Sequence, residues 1–456
     1  MRALVYGLAI AGASTVRALT RRGFDVVAAD DVVTPQRSAL AAELGVELLD
    51  APDDRVLADV IAGCDLLSPA PGIPEHHRVV NAAQQADVEV VSAIELAYRW
   101  EQERPGGARP MLAITGTDGK TTTTLMTVEM LRAAGLSTVD AGNTLTPLVD
   151  AIEDDHDAFV VECTSFRLAW TPSFRPDAGA WLNLAPDHLD WHRSMDTYGD
   201  AKARIWANQH DGDASIAFTG SEPVMKRLSV APGRRRTFGP GGDYHEADGR
   251  LIGPGGEIAA VSSMRRSLPH DITNALAASA LVLESGLATT DAIRTALGTF
   301  TGPPHRLEHI GCWNDVDWFN DSKATTPHAA AVAIRAFDDI VLVAGGKDKH
   351  VDLGEMAGDL ERIKAVVAVG DTRRQVAEAF AGVPSVTTTE RFDDGVRAAA
   401  ELVRPGDTLL LSPGCASLDQ FRSFEERGDR FRSLAHEINR AGASGTDGAH
   451  NHEETA

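Results

Sequence analysis

Ile114-Thr115-Gly116-Thr117-Asp118-Gly119-Lys120-Thr121-Thr122 is the stretch that decides how this chain is read. An apolar run, Met111 to Ile114, leads into it. A helical pattern from Thr122 to Ala134 leaves it and is stopped by Gly135. Strand, glycine-bearing turn, Lys-Thr and helix is the order of a phosphate cradle. Backbone N–H groups of the turn and the helix start face phosphate oxygens, the lysine reaches the terminal phosphates, and the first threonine hydroxyl ligates Mg²⁺. Gly116, Thr117, Asp118, Gly119, Lys120, Thr121 and Thr122 are thus the expected ATP-binding residues. The common P-loop has a further glycine five positions before Gly119. Here that position is Ile114, so the turn is shorter than usual.

The rest of the chain sets bounds on this reading. Its 456 residues call for two to four domains. Apolar content of 43% with 24% charged residues is that of a soluble globular protein. No apolar run reaches membrane-spanning length, and Met1 to Gly7 reads as a strand start rather than a signal peptide. Cys64, Cys163, Cys312 and Cys415 lie far apart without metal spacing, which fits free thiols in a reducing cytoplasm. The net charge of −23 argues against non-specific binding to nucleic acid or anionic membranes. A phosphate ligand must therefore be held locally by Lys, Arg, Mg²⁺ and backbone amides, so metal dependence is expected.

Residues 1 to about 100 alternate strand and helix patterns: strand Ala3 to Tyr6, helix Ala13 to Arg22, strand Asp25 to Ala29. Such alternation implies a parallel sheet. Glu101 to Pro110 reads as a linker by composition. From Met111 a second α/β unit carries the phosphate loop, strands Ala158 to Val161 and Gly179 to Leu184, polar turns and short edge strands over Thr237 to Glu257, and a closing helix Ile272 to Glu284. After Gly302-Pro303-Pro304 a third α/β unit has strands at Ile340–Ala344, Ala365–Val369 and Thr408–Leu411. Ala441 to Ala456 is small, polar and acidic, and reads as disordered.

Side chains that carry chemistry fall at predicted strand ends. In the first unit, Gly7-Leu8-Ala9-Ile10-Ala11-Gly12 resembles G-x-G-x-x-G, and Asp30 and Asp31 follow the next strand as a ribose-binding acid would. Ala9 stands where the middle glycine admits a pyrophosphate. That weakens a dinucleotide reading, leaving a tight structural turn and a uridine-diphosphate site both open. Ser68 to Pro74, with Gly72, ends another strand on the same predicted sheet edge, where ligands of such sheets bind. In the second unit Glu162 ends a strand beside the phosphate loop, in reach of Mg²⁺. His188, in Asp187-His188-Leu189-Asp190, is a potential metal ligand with acids beside it. Lys202, in the predicted helix Thr197 to Asn208, reads by physics alone as a solvated lysine. Asp271 is a candidate helix cap that leaves Asn274 to face a base.

Taken together, these pieces resemble the Mur ligases, ATP-dependent amide-forming enzymes of peptidoglycan precursor assembly. The loop Gly116 to Thr122 is similar to that family's G-T-N/D-G-K-S/T-T. Ala141-Gly142-Asn143-Thr144, Glu162 to Leu168, Asp187 to Asp190, Pro304-His305-Arg306-Leu307-Glu308, Asn320 to Thr325 and Leu411 to Phe421 resemble further motifs of the branch that adds D-glutamate. The chain departs from that branch at Arg167, where glutamine is usual, and at Asp118, Asp271 and Asp31.

The resemblance implies three domains: a Rossmann-like UDP-substrate domain (1–105), a central P-loop-type ATPase domain (106–301), and a Rossmann-like amino-acid-binding domain (302–440), followed by a disordered tail (441–456). It implies ligation of D-glutamate to UDP-N-acetylmuramoyl-L-alanine through an acyl phosphate, by a cytoplasmic monomer. Catalysis would fall to Lys120, Glu162, His188 and Lys202. Two Mg²⁺ ions would be held by Thr121, Glu162, His188 and Lys202, the last as a CO₂-derived carbamate. Asn274, Arg306, Asp321 and Lys323 would contact ATP. Ile10, Ala11, Asp30, Asp31, Gly72, Asn143 and Thr164 would contact the UDP substrate. Lys323, Thr325, Lys349, Ser417, Leu418 and Phe424 would contact the amino acid, with Ser417 just ahead of a helix N-terminus.

Overall fold

The computed structural model describes residues 1–349 and 351–445 and divides into two compact units, Met1–Phe300 and Thr301–Ala456. The first unit holds two parallel sheets. One is built from β1 (Arg2–Tyr6), β2 (Asp25–Asp30), β3 (Glu47–Asp50), β4 (Leu66–Pro69) and β5 (Glu89–Val90), in the order β3-β2-β1-β4-β5. Its order reverses between β1 and β4, which opens a crevice at their carboxyl ends. The helix Ile10–Arg21 springs from β1 through a turn that leaves no room for side chains. A Cβ on Gly12 would lie 2.0 Å from the Gly7 carbonyl oxygen, and Gly7 itself sits at φ +97°.

The second sheet comprises β6 (Met111–Thr115), β7 (Thr138–Gly142), β8 (Ala158–Glu162), β9 (Ala178–Trp181), β10 (Ala214–Phe218) and β11 (Arg234–Phe238), ordered β11-β10-β9-β6-β8-β7. Strands β6 and β8 are buried along their whole length, as their near-continuous apolar runs require of a sheet covered on both faces. The polar stretch after them forms a small antiparallel sheet of β12 (His245–Ala247), β13 (Arg250–Gly253) and β14 (Gly256–Ala260). One hydrophobic cluster runs from Val5 and Leu19 through Leu96 and Met111 to Phe159 and Trp181, so the first two sheets share a core.

That shared core corrects the linker reading of Glu101 to Pro110. The helix Ala93–Gln102 takes in Glu101, and the segment is bolted down by a buried ion pair. Arg109 donates to both Glu101 carboxylate oxygens at 2.8 Å and to the carbonyls of Ile152 and Asp154. Composition marked the turn. It carried no sign that the charged pair would be buried together.

The second unit is one sheet of β15 (Glu308–Trp313), β16 (Val316–Asn320), β17 (Ile340–Gly345), β18 (Ile363–Val369), β19 (Val386–Thr389) and β20 (Thr408–Leu411). Its order is β15-β16-β20-β17-β18-β19, parallel except for the β15–β16 hairpin. Because β16, β20 and β17 are neighbours, Asn320–Thr325, Gly345–Lys349 and Ser412–Leu418 leave from one edge. The helix Phe424–Gly445 continues through the first residues of the expected tail; the remainder, 446–456, lies outside the described residues. Among the described residues no helix is long and apolar enough to cross a membrane.

Candidate active site

The phosphate loop forms where the sequence placed it, between β6 and the helix Lys120–Ala133. Gly119 takes φ +82°, and a Cβ there would meet the Asn274 amide oxygen at 2.7 Å. This is the position at which the turn needs glycine. Lys120 folds back over the loop, its Nζ donating to the carbonyls of Gly116 (2.9 Å) and Thr117 (2.7 Å). A clamp that the sequence reading missed sits beneath the loop. The Asn183 side-chain oxygen accepts from the N–H groups of both Thr117 and Asp118 at 2.9 Å, and its Nδ2 donates to the Asp118 carbonyl. Asparagine in a strand-end loop is common, so its spacing alone carried no signal.

The next two predicted residues lie on the helix Pro269–Glu284. Asn274 is buried, and its side-chain oxygen accepts from Thr123 Oγ1, which fixes it against the loop. Asp271 does not cap its helix, which starts at Pro269. It sits in the first turn, buried against Arg266 Nε at 3.1 Å.

Glu162 is the end residue of β8, in register with Ile114 of β6 and so beside the loop. The Asn143 amide donates to its Oε1 at 2.9 Å, while its Oε2 is buried with no partner. A buried, half-satisfied carboxylate is costly unless a cation or donor completes it, so this donor set fits one metal ion. Lys202 is no solvated lysine. It is 1% exposed, and its Nζ donates at 2.7 Å to the same Gly116 carbonyl that Lys120 uses. Burial, reinforced by the Lys120 charge, holds its pKa well below the usual lysine range. Burial likewise lowers the pKa of His188, with Lys202 and Lys120 adding to the effect against the pull of Asp187. His188 packs edge-on against Phe166 and pairs with Asp187 at 3.1 Å. Among the described residues no three His, Cys, Asp or Glu side chains converge as a metal cluster. With Lys202 as an amine, His188 is the one member of the expected second-site pair able to ligate a metal.

At the first sheet, Asp30 is buried. Its carboxylate accepts from the N–H groups of Leu8 and Val32 and from Arg37. Asp31 is more exposed and is grouped with Tyr6, His77 and Arg78, of which sequence reasoning named none. Burial, and the hydrogen bond to Asp31, raise the Tyr6 pKa. Ile10 and Ala11 open the helix Ile10–Arg21, whose N-cap Ala9 offers no side-chain cap. Gly72 is exposed in the facing loop, and Thr164 carries a buried hydroxyl without a partner.

In the second unit the predicted residues gather at the β16–β20–β17 edge. Lys323 Nζ lies 5.6 Å from the Phe424 ring centre, and Lys349 Nζ donates to the Thr325 carbonyl. Asp321 accepts from the Leu307 N–H, beside Arg306, and from Ser412 Oγ. Ser417 is buried and Leu418 is exposed. The expected helix start at Ser417 is instead a turn, and the helix begins at Phe424. Arg427, not predicted, is buried and ties Ser322 to the Cys415 carbonyl.

The fold agrees with the comparisons. Residues 114–282 match the Mur ligase middle domain, and residues 305–415 match the Mur ligase glutamate ligase domain. The chain belongs to the Mur ligase family. Among its relatives, the UDP-N-acetylmuramoylalanine--D-glutamate ligase of Frankia casuarinae is 38% identical, over 94% of this chain and 92% of the relative. The protein of the same name from Aquifex aeolicus is 33% identical, over 95% and 98%. Among solved structures, the UDP-N-acetylmuramate-alanine ligase MurC of Thermotoga maritima superposes with a TM-score of 0.57 at 19% identity, over 96% of this chain and 99% of that one. MurF of Acinetobacter baumannii does so with 0.57 at 15%, over 96% and 93%.

Proposed function

We propose that this protein is an ATP-dependent ligase that adds D-glutamate to UDP-N-acetylmuramoyl-L-alanine, in the assembly of peptidoglycan precursors. The observation that carries the reading is the convergence on Gly116. Its carbonyl accepts from both Lys120 and the buried Lys202, and Glu162 ends the neighbouring strand with one carboxylate oxygen unsatisfied.

The reaction joins a carboxylate, a poor electrophile, to an amine. ATP phosphorylates the alanine carboxylate, the glutamate amine attacks the acyl phosphate through a tetrahedral intermediate, and phosphate leaves. Positioning and charge neutralisation dominate such phosphoryl transfer. Lys120 exchanges its loop carbonyls for terminal phosphates, and the loop amides hold the remaining oxygens. Thr121 and Glu162 would hold a first Mg²⁺. When bound, the metal neutralises charge on the phosphates and on the developing acyl phosphate.

Lys202 is suited to carbamylation because a buried, neutral amine is the form that attacks CO₂. The product is an anionic oxygen ligand plus a proton, and it would complete a second Mg²⁺ site with His188. In this reading residues 1–105 bind the UDP moiety and 106–301 bind ATP. Residues 302–440 carry Arg306, Asp321 and Lys323, which the family resemblance assigns to ATP, and Lys323, Thr325, Lys349, Ser417, Leu418 and Phe424, which it assigns to D-glutamate.

The test is phosphate release from ATP with Mg²⁺ and UDP-N-acetylmuramoyl-L-alanine, on adding D-Glu, L-Glu, L-Ala and meso-diaminopimelate in turn. Release with D-Glu alone is expected. Release with L-Glu but not D-Glu overturns the assignment.

A further inference from the structure

The residues on either side of Arg306 hold backbone conformations that bulky side chains rarely adopt. His305 lies at φ +60° and Leu307 at φ +43°. Such conformations persist only where the surroundings fix them. Here they are fixed from the end of β16. Asn320 is fully buried, and its Nδ2 donates to His305 Nδ1 at 3.1 Å, to the Gly428 carbonyl at 3.1 Å and to Glu308 Oε2 at 3.3 Å. Its Oδ1 accepts from the Ser322 N–H at 3.2 Å, so the same side chain holds the backbone just ahead of Lys323. Two main-chain donors close the circle: the Lys323 N–H donates to the His305 carbonyl at 3.0 Å, and the His305 N–H to Glu308 Oε2 at 2.9 Å. Burial, working against Glu308 and Asp429, lowers the pKa of His305. Its ring is therefore neutral near pH 7, with Nδ1 as the acceptor that the Asn320 amide requires. The helix Phe424–Gly445 is shaped to this ring, because a Cβ on Gly428 would overlap it.

One buried amide thus uses both of its ends to hold two separate segments, one carrying Arg306 and the other Lys323. We infer that Asn320 is a positioning residue that aims both cations at the nucleotide. The inference rests on the functional reading above, which assigns Arg306 and Lys323 to ATP, and deepens it. Arginine and lysine side chains are long and flexible, so their reach to a phosphate depends on where the backbone starts them. Without the Asn320 amide, nothing offsets the cost of the left-handed conformations at His305 and Leu307. The segment then relaxes and carries Arg306 with it, and the Ser322–Lys323 segment loses its register to His305.

The test is a double-mutant cycle read by calorimetric titration of an ATP analogue with Mg²⁺, with melting curves of each protein. Asn320→Asp keeps the shape and the acceptor but loses the donor and sets a carboxylate against Glu308. Gly428→Ala reaches the same ring by another route, since it leaves Asn320 intact, favours the helix and displaces His305. Each is made in the wild type and in an Arg306→Ala, Lys323→Ala background. Charge-assisted hydrogen bonds to phosphate lost through misplacement weaken binding roughly ten- to a hundredfold. The expected result is that loss for both variants in the wild type, and a change within about twofold in the background that lacks the two cations, because a residue acting through them has nothing left to position. Equal losses in both backgrounds overturn the inference, as does a lowered melting temperature with unchanged affinity, which marks a purely structural role. If Asn320→Asp does not fold, Gly428→Ala alone decides by the same criteria. A wild type that binds no ATP analogue refutes the functional reading and this inference together, whereas a wild type that binds it with the same affinity as both variants refutes the inference alone.

Discussion

Replacing Asn183 with alanine should cripple nucleotide binding without unfolding the protein. In the structure one side-chain oxygen accepts two backbone N–H groups of the phosphate loop, from Thr117 and Asp118, each at 2.9 Å, and the Nδ2 donates to the Asp118 carbonyl at 3.2 Å. Alanine removes all three. At about 0.5–1.5 kcal/mol for each hydrogen bond, the loop loses about 2–4 kcal/mol of preorganisation. A loop that must be ordered by the ligand charges that cost to binding, so affinity for an ATP analogue with Mg²⁺ should fall by roughly 30- to 1000-fold. The loss should appear as a raised KM for ATP, with the KM for the UDP substrate unchanged, because the clamp touches only the phosphate loop. Asn183→Asp is the sharper variant. It keeps both acceptor contacts but loses the donor and puts a negative charge under a triphosphate site. Its affinity should therefore recover with added salt, which screens that charge. Calorimetric titration of both variants decides the matter. ATP affinity within twofold of wild type in Asn183→Ala would show that the clamp does not preorganise the loop.

Three further outcomes are expected. Lys202→Ala should lose turnover while still binding an ATP analogue; near-normal steady-state activity in this variant would remove the case for a carbamate. Arg109→Ala should cost about 3–5 kcal/mol in chemical denaturation, because it leaves Glu101 buried with only the longer Arg104 contact at 4.0 Å, and a loss below 1 kcal/mol would mean that Arg104 or water takes over the carboxylate. His192 is fully buried among Phe166, Trp191 and Tyr198, and burial, then the Lys202 charge, lowers its pKa to about 4 from 6.5. The unfolded chain therefore takes up a proton below pH 6.5 that the folded chain refuses, so this contribution is complete above pH 6.5 and is lost as the pH falls toward 4. His192→Phe should flatten that limb of the stability–pH curve, and an unchanged slope between pH 6.5 and 4 would count against it.

The sequence made the order of parts legible because each part is a local signal. An apolar run before Gly116 and a helical pattern after Thr122 need no partner from elsewhere in the chain, and β6 and its helix formed within a residue or two of expectation. Glu162 was readable for the same reason, as an acid at the end of an apolar strand. Errors arose where burial reverses what composition says. The Glu101–Pro110 segment is charged and rich in glycine and proline, yet it is pinned by a buried ion pair. Lys202 lies in a polar helical pattern, yet it is 1% exposed.

By itself, then, the sequence determined the class of chemistry: a short phosphate loop and strand-end acids, with long motifs at Asn320 and Leu411 whose resemblance to the Mur ligases marks a ligase. Contiguous residues suffice for that, because loops at strand ends are built from them. The tertiary structure alone decided which groups share a site. It set Lys120 and Lys202 on one carbonyl, put Asn183 under the loop, and left Glu162 and Arg167 incompletely satisfied in the interior. Those outcomes depend on strand order and on desolvation, and both arise only when residues far apart in the chain are packed together.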